Sequence, residues 1–204
     1  MELHSTTLVL ATGNAGKIRE LHELLGELPF ELKGLRDFQG IVDVDETGST
    51  FRENAELKAR EFALQTHHLS LADDSGLEVE VLENAPGVYS ARFAGENTGY
   101  DVKIPKLLSM LEMTGDARRR ARFVCVMALA ERDGRIIYTA EGVCYGSITE
   151  SPKGSNGFGY DPVFVPDGYD LTFGELDDDI KRRVSHRAKA ADLIIRYLLD
   201  FIAV

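Results

Sequence analysis

The N-terminal part of the chain changes abruptly from a strand pattern to a helix pattern. The apolar run Leu8-Val9-Leu10-Ala11 is followed by the turn-forming stretch Thr12-Gly13-Asn14-Ala15-Gly16-Lys17, and a helical spacing of apolar residues begins at once. A strand that turns through glycines into a helix brings backbone N–H groups, a helix N-terminus and a lysine to one place, where a phosphate group binds favourably. The sequence therefore predicts a strand–loop–helix unit that holds an anion.

The spacing within this loop separates it from two common phosphate-binding patterns. A P-loop has four residues between its first glycine and the Gly-Lys pair, and a serine or threonine after the lysine. Here only two residues separate Gly13 from Gly16-Lys17, and Ile18 follows the lysine. The third glycine of a dinucleotide-binding fingerprint is missing as well. A P-loop is disfavoured, and an ordinary strand-to-helix turn is an equally good interpretation of the loop taken alone.

Composition and charge narrow the choice of partners. The chain has 204 residues, of which 44% are hydrophobic, and this is enough for one globular domain over residues 1–204. The formal net charge of −11 argues against nucleic-acid binding, which needs a basic surface. Local basic clusters at residues 118–122 and 181–189 favour a small polyanion such as a nucleotide, with a divalent metal supplying further positive charge.

Targeting and redox signals indicate a cytoplasmic protein. No apolar stretch of the sequence approaches the roughly 20 residues that span a bilayer, and no secretory signal pattern opens it. Cys125 and Cys144 lie in apolar, strand-like stretches, as small buried thiols in a reducing compartment do. We expect neither membrane association nor a disulfide.

Strand and helix patterns alternate early in the chain, and a hairpin pattern comes late. Strands are predicted at residues 3–12, 30–35, 68–73, 77–81 and 162–166, helices at 16–26, from 51 onward and at 102–113, a hairpin at 121–130 and 136–148, and one closing helix at 177–203. Thr50 and Glu53 have the spacing of a capping box at the start of the second helix. This order predicts an α/β protein with a mixed sheet flanked by helices.

Two neighbouring carboxylates end an apolar strand pattern in Asp73-Asp74-Ser75-Gly76. Such groups can hold Mg²⁺ or take a proton from water, and neighbouring side chains of a strand point to opposite faces. A phospho-aspartate motif needs a second aspartate where the chain has Ser75, so covalent chemistry is disfavoured. For the motif alone an Asx-type turn at Asp74 is the better interpretation, but the carboxylates of Asp45 and Glu46 favour a metal site.

The C-terminal third offers groups that could recognise a nucleobase. Phe158-Gly159-Tyr160-Asp161 combines an aromatic ring for stacking with a carboxylate and exposed backbone groups. Lys181 and the triplet Ser185-His186-Arg187 add donors on what we predict to be one helix surface. The alternatives are that Phe158 packs into the core and that His186 and Arg187 lie on a solvated helix face.

Taken together and in order, these motifs resemble one family. The resemblance is to the inosine triphosphate pyrophosphatases, which include the bacterial dITP/XTP pyrophosphatases of the RdgB type. The motifs that carry it are Ala11-Thr12-Gly13-Asn14-Ala15-Gly16-Lys17 with Glu20, Glu46-Thr47-Gly48, Thr50-Phe51 with Asn54-Ala55 and Lys58-Ala59, Ala72-Asp73-Asp74-Ser75-Gly76-Leu77, Ala85-Pro86-Gly87-Val88-Tyr89-Ser90-Ala91-Arg92, Gly157-Phe158-Gly159-Tyr160-Asp161-Pro162 and Ser185-His186-Arg187. Each is weak alone, but their shared order is specific.

The resemblance implies a Mg²⁺-dependent hydrolase that cleaves ITP, dITP and XTP between the α and β phosphates, releasing a monophosphate and pyrophosphate. It implies an elongated α/β fold of two lobes with the active site in a cleft between them, a homodimer, and a role in clearing aberrant purine nucleotides from the cytoplasm. Two alternatives remain, a pyrophosphatase for another modified nucleotide and a nucleotide-binding regulator that does not hydrolyse.

The same resemblance implies roles for individual residues. Asp74 resembles the general base and also a metal ligand, and Glu46 resembles the other metal ligand. Substrate contacts are implied for Thr12, Gly13, Asn14, Ala15, Gly16, Lys17, Ser75, Phe158, Gly159, Tyr160, Asp161, Lys181, His186 and Arg187. Selectivity follows from hydrogen-bond sense, because hypoxanthine and xanthine present a 6-oxo acceptor, to which His186 or Arg187 can donate, where adenine presents an amino donor.

Overall fold

The computed structural model describes residues 6–95 and 98–202, in which strands and helices alternate as far as the fourth strand. The six strands of these residues are β1 (Thr6–Leu10), β2 (Phe30–Gly34), β3 (Leu69–Val79), β4 (Arg120–Ala130), β5 (Ile136–Ile148) and β6 (Phe164–Pro166). Their five α-helices are α1 (Ala15–Leu25), α2 (Phe51–Thr66), α3 (Tyr100–Met113), α4 (Asp178–Val184) and α5 (His186–Ile202). Predicted strand residues 3–5 and the last predicted helical residue, 203, lie outside the described residues.

The strands form one mixed sheet in the order β2-β1-β3-β4-β5-β6. β1 runs parallel to both β2 and β3, with Leu10 opposite Gly34 on one side and Leu71 on the other, whereas β5 and β6 are antiparallel. The predicted hairpin joins neighbouring strands β4 and β5 through residues 131–135, a connection too short for a parallel crossover. The mixed α/β fold predicted from the sequence is confirmed.

The chain divides into two compact units, each with its own apolar core. Unit 1 comprises Met1–Asp74, Cys125–Gly142 and Arg187–Val204, and its core contains Leu8, Leu10, Leu21, Leu25, Met127, Ile194 and Leu198. Unit 2 comprises Ser75–Val124 and Val143–His186, and its core contains Leu77, Ile104, Leu107, Phe123, Phe164 and Phe173. The single domain over residues 1–204, with a cleft between lobes, stays a prediction.

β3 corrects one expectation about the acidic motif. We predicted two strand pieces that meet at the carboxylates, with an Asx-type turn at Asp74 as the alternative, but Asp73 and Asp74 lie inside a single 11-residue strand. β3 has neighbours on both sides, β1 and β4, and its extended backbone continues through both acidic residues as far as Val79. The turn interpretation is therefore wrong.

A second correction concerns the C-terminal helix. We predicted one helix over residues 177–203, but α4 ends at Val184 and α5 begins at His186, with Ser185 between them in an extended conformation at ψ 157°. Serine is favoured at a helix start because its hydroxyl can accept from the first N–H groups, so a new helix can begin here. Lys181 does not share a helix with His186 and Arg187.

The buried cysteines and the capping box that the sequence predicts are present in the structure. Cys125 and Cys144 are both buried free thiols. Across the described residues, no helix combines the length and the apolar character needed to cross a membrane. The capping box is present, since the Thr50 hydroxyl accepts from Glu53 N–H and the Glu53 carboxylate accepts from Thr50 N–H.

Replacing the capping hydroxyl should destabilise the fold. Thr50→Ala removes the acceptor for one helix N–H, and we expect it to lower the free energy of unfolding by about 1 kcal/mol. Thr50→Ser keeps the hydroxyl and is the matched control, expected to stay within about 0.5 kcal/mol of the wild type. Urea denaturation of the three proteins measures the effect, and equal stability of the alanine and serine variants would contradict it.

Candidate active site

The N-terminal loop places Lys17 near the end of β1. Asn14 caps α1, because its Oδ1 accepts from Gly16 N–H at 2.9 Å and from Lys17 N–H at 3.1 Å. Thr12 Oγ1 accepts from Asn14 N–H at 3.2 Å. The predicted strand–loop–helix unit therefore exists, and in this structure its own side chains occupy several of the N–H groups that we predicted would hold an anion.

Parallel pairing brings this loop to the acidic motif of β3. Because Leu10 pairs with Leu71, the residues that follow β1 run beside Asp73. Lys17 Nζ lies 2.7 Å from Asp73 Oδ1, and Asp73 is fully buried. Lys17, which the loop pattern predicts to bind an anion, thus forms an ion pair with one of the two aspartates of the acidic motif.

Asp73 is the centre of a buried group of charges. Its Oδ2 accepts from Arg187 Nε at 3.0 Å and lies 2.9 Å from Arg187 Nη2, while the Cys125 thiol donates to the same oxygen at 3.5 Å. Burial alone would raise the pKa of Asp73, but the positive charges of Lys17 and Arg187 outweigh it and hold the pKa far below its usual value. Asp73 is a permanent anion.

Asp74 points to different partners, as the alternation of a strand predicts. Its Oδ1 accepts from Lys58 Nζ at 3.0 Å, and its Oδ2 accepts from Asn54 Nδ2 at 3.3 Å. Burial is the largest influence and raises the pKa of Asp74 to about 6; the negative charge of Glu46 acts in the same direction and the Lys58 ammonium acts against it. A carboxylate with this pKa can accept a proton near neutral pH.

Glu46 joins the same group through Lys58. Lys58 Nζ lies 2.6 Å from Glu46 Oε1, so one ammonium bridges the two carboxylates that we predicted as metal ligands. Burial would raise the pKa of Glu46, but the charge and hydrogen bond of Lys58 outweigh it and lower the pKa. The two carboxylates offer hard oxygen ligands around one cation position, and this donor set fits a divalent ion such as Mg²⁺.

The loop that carries Glu46 is fixed to α2 by Asn54. Gly48 N–H donates to Asn54 Oδ1 at 2.7 Å, while the amide nitrogen of the same side chain donates to Asp74. A Cβ added at Gly48 would lie 2.7 Å from that oxygen, so a side chain there would displace the contact. Asn54 therefore orients both the acidic loop and the carboxylate of Asp74.

Lys58 and Asn54 were missed as site residues when the sequence was interpreted. They appeared only among the motifs that resemble a family, although a signal for them exists. They are four residues apart on α2 and share its buried face with Phe51, Ala55 and Phe62. A lysine and an asparagine on an otherwise apolar helical stripe indicate buried polar partners.

Unit 2 contains a second group of predicted residues. Lys181 Nζ lies 2.5 Å from Asp161 Oδ2, and the Phe158 N–H donates to the same oxygen at 2.7 Å. The Lys181 ammonium lies 4.8 Å from the Phe158 ring centroid. A Cβ at Gly157, whose φ is +71°, would lie 2.1 Å from Asp161 Oδ2, so only glycine fits beside this ion pair.

The structure separates the predicted C-terminal donors. The His186 ring stacks on Phe123 in unit 2, whereas the Arg187 guanidinium in unit 1 binds Asp73 and lies 2.6 Å from Glu20 Oε2. His186 and Arg187 are only 5% and 2% exposed, so the alternative of a solvated helix face is wrong. Phe158 and Ser75 are half-buried, while Tyr160 packs in the core of unit 2.

Comparison with known proteins identifies the family. Residues 8–197 match the Ham1 family, and the chain belongs to that family. The resemblance found in its motifs is confirmed.

Individual relatives and solved structures agree over most of the chain. A dITP/XTP pyrophosphatase of Desulforamulus reducens is 52% identical, with 90% of each chain covered, and one of an Exiguobacterium species is 46% identical, covering 95% of this chain and 97% of the relative. A Ham1 protein from Coxiella burnetii has a TM-score of 0.88 at 42% identity, covering 96% of this chain and 99% of that one.

The Arg187–Asp73 pair should contribute strongly to stability. Arg187→Met leaves the buried Asp73 carboxylate with one cation fewer, and we expect the free energy of unfolding at pH 7 to fall by about 3 kcal/mol. Adding Asp73→Asn removes the buried charge, so the double variant should be less destabilised than the sum of the two single changes. Urea denaturation of all four proteins tests this. Additive changes, or an Arg187→Met variant as stable as the wild type, would contradict it.

Proposed function

We propose that this protein hydrolyses dITP, XTP and ITP to the monophosphate and pyrophosphate with the help of Mg²⁺. It is a nucleoside triphosphate pyrophosphatase, a hydrolase of nucleotide metabolism, and its relatives carry the name dITP/XTP pyrophosphatase. The observation that carries the proposal is Asp74, a buried carboxylate with a pKa near 6 held by Lys58 and Asn54. The homodimer and the cytoplasmic location implied by the resemblance stay predictions.

Asp74 is the general base in this proposal. The attacking water gives its proton to the Asp74 carboxylate as its oxygen approaches the α-phosphorus, and pyrophosphate leaves with the bonding electrons of the α–β bridge. Lys58 and Asn54 each hold one oxygen of the carboxylate, so its orientation is set before the water arrives. The raised pKa makes Asp74 a stronger base than an ordinary aspartate while leaving it largely ionised at neutral pH.

The carboxylates of Glu46 and Asp74 would hold the metal. Across the described residues, no group of three or more His, Cys, Asp or Glu side chains is arranged to hold a metal, and Mg²⁺ bound together with a phosphate substrate typically takes only one or two protein carboxylates. A bound divalent cation would supply positive charge to the phosphate oxygens of the substrate. Asp73, permanently ionised between Lys17 and Arg187, keeps the Lys17 ammonium beside Asp74's strand, where it can neutralise phosphate charge.

In this proposal, Phe158, Lys181 and His186 of unit 2 recognise the nucleobase. Phe158 offers a ring for stacking, and Lys181 and His186 offer donors to a 6-oxo group. Asp161 holds the Lys181 ammonium in place through their ion pair and also accepts from the Phe158 N–H. An adenine amino group would face these donors with its own N–H, so the enzyme should reject dATP.

A nucleotide panel tests the activity. We expect pyrophosphate release from dITP, XTP and ITP that depends on Mg²⁺, and much slower release from dATP. Asp74→Asn should lower kcat by about a hundredfold or more because the base is lost, with nucleotide binding retained. Asp133→Asn, in the exposed hairpin turn, is the matched control with wild-type rates. Binding without turnover in the wild type would instead support a non-hydrolysing regulator, and rapid hydrolysis only of other nucleotides would support a pyrophosphatase for another modified nucleotide.

The pH dependence of kcat/KM should report the pKa of Asp74. The base acts only when it is deprotonated, so kcat/KM for dITP should be level above about pH 7 and fall about tenfold for each pH unit below pH 6. An ordinary aspartate would keep the rate level down to about pH 4. Steady-state rates in buffers of constant ionic strength measure the profile. A rate that stays level from pH 7 to pH 5 would contradict the raised pKa of the base.

A further inference from the structure

An aromatic residue in the core of unit 2 contacts one of the proposed base-reading side chains. Phe123 is only 6% exposed and packs on Phe164, with ring centroids 4.5 Å apart, and on Phe173 at 6.4 Å. The Phe123 ring also stacks on the imidazole of His186, with the two ring centroids 4.7 Å apart and the two ring planes 13° from parallel. The imidazole therefore lies nearly parallel to a phenyl ring that is itself fixed by the core.

This stack restricts the plane of the imidazole. Rotation of the His186 ring away from parallel would open a gap against Phe123 and lose contact area on a buried residue. Packing against Phe123 therefore restrains the plane of the imidazole ring.

The ring plane matters because hydrogen bonds are directional. A hydrogen bond weakens steeply when the N–H···O angle falls below about 120°. The N–H bond of an imidazole lies in the plane of the ring, so the ring plane fixes the direction in which it donates. A ring that tilts by tens of degrees would aim the donor away from a 6-oxo group. The discrimination between an oxo and an amino group at that position would then fall.

We propose that Phe123 is a positioning residue that sets base specificity by holding the imidazole plane of His186. This inference rests on the proposed function, because it assigns the donor on His186 to the 6-oxo group of the base. Phe123 itself contacts no substrate in the proposal. It acts on the substrate only through the ring that it stacks against.

Phe123→Leu removes the ring while keeping an apolar side chain in the core. We expect the preference in kcat/KM for dITP over dATP to fall by about tenfold or more, since small misplacements of a contact group cost that much. Phe164→Leu is the matched control, because Phe164 packs on the same phenyl ring in the same core. Its preference for dITP should stay within about threefold of the wild-type value, even though its stability falls by a similar amount.

An NMR measurement gives a second readout that does not depend on turnover. The phenyl ring current of Phe123 shifts the imidazole C–H protons of His186 upfield, and comparison with His186→Gln assigns their signals. In Phe123→Leu these signals should move downfield, whereas in Phe164→Leu they should stay near their wild-type positions.

The outcomes separate this inference from the proposed function. A wild type that does not prefer dITP over dATP contradicts the proposed base selectivity, and the role of Phe123 in that selectivity falls with it. A selective wild type whose preference survives in Phe123→Leu overturns only the inference about Phe123. Equal losses of preference in both variants show general damage to the core and overturn it as well. Loss in Phe123→Leu alone, together with the moved imidazole signals, supports it.

Discussion

The buried carboxylate of Asp73 organises the charged part of unit 1. An unpaired carboxylate in a fully buried position would be strongly unfavourable, and the ion pairs with Lys17 and Arg187 offset this cost. These partners come from α1 and α5, and Asp73 itself comes from β3. Three elements that are far apart in sequence are therefore held at one point, beside the residue that we propose as the base.

Two consecutive aspartates acquire opposite properties from their surroundings. Asp73 faces two cations and stays ionised, while Asp74, on the other face of β3, shares one ammonium with Glu46 and has a raised pKa. Pairs of acidic groups whose pKa values are pushed apart are typical of sites that combine a fixed charge with a proton acceptor. Strand alternation places the two neighbouring side chains on opposite faces, where they meet these different partners.

Local patterns explain which parts could be predicted from the sequence. The unit from β1 to α1, the capping box at Thr50 and the hairpin depend on neighbouring residues, and all three were predicted. The continuity of β3 through Asp73 could not be predicted, because aspartate is unfavourable in strands. The partners of Asp73, Lys17 and Arg187, lie 56 and 114 positions away in the sequence. The break at Ser185 was missed because the residues on both sides form helices.

The same break has a geometric consequence for the triplet that contains it. Successive residues of an α-helix point about 100° apart around its axis. Because α5 begins at His186, this angular step sends the imidazole to Phe123 and the next side chain, Arg187, to Asp73. The starting residue thus sets the angular phase of the whole helix, and a start displaced by one position would turn both side chains away from their partners.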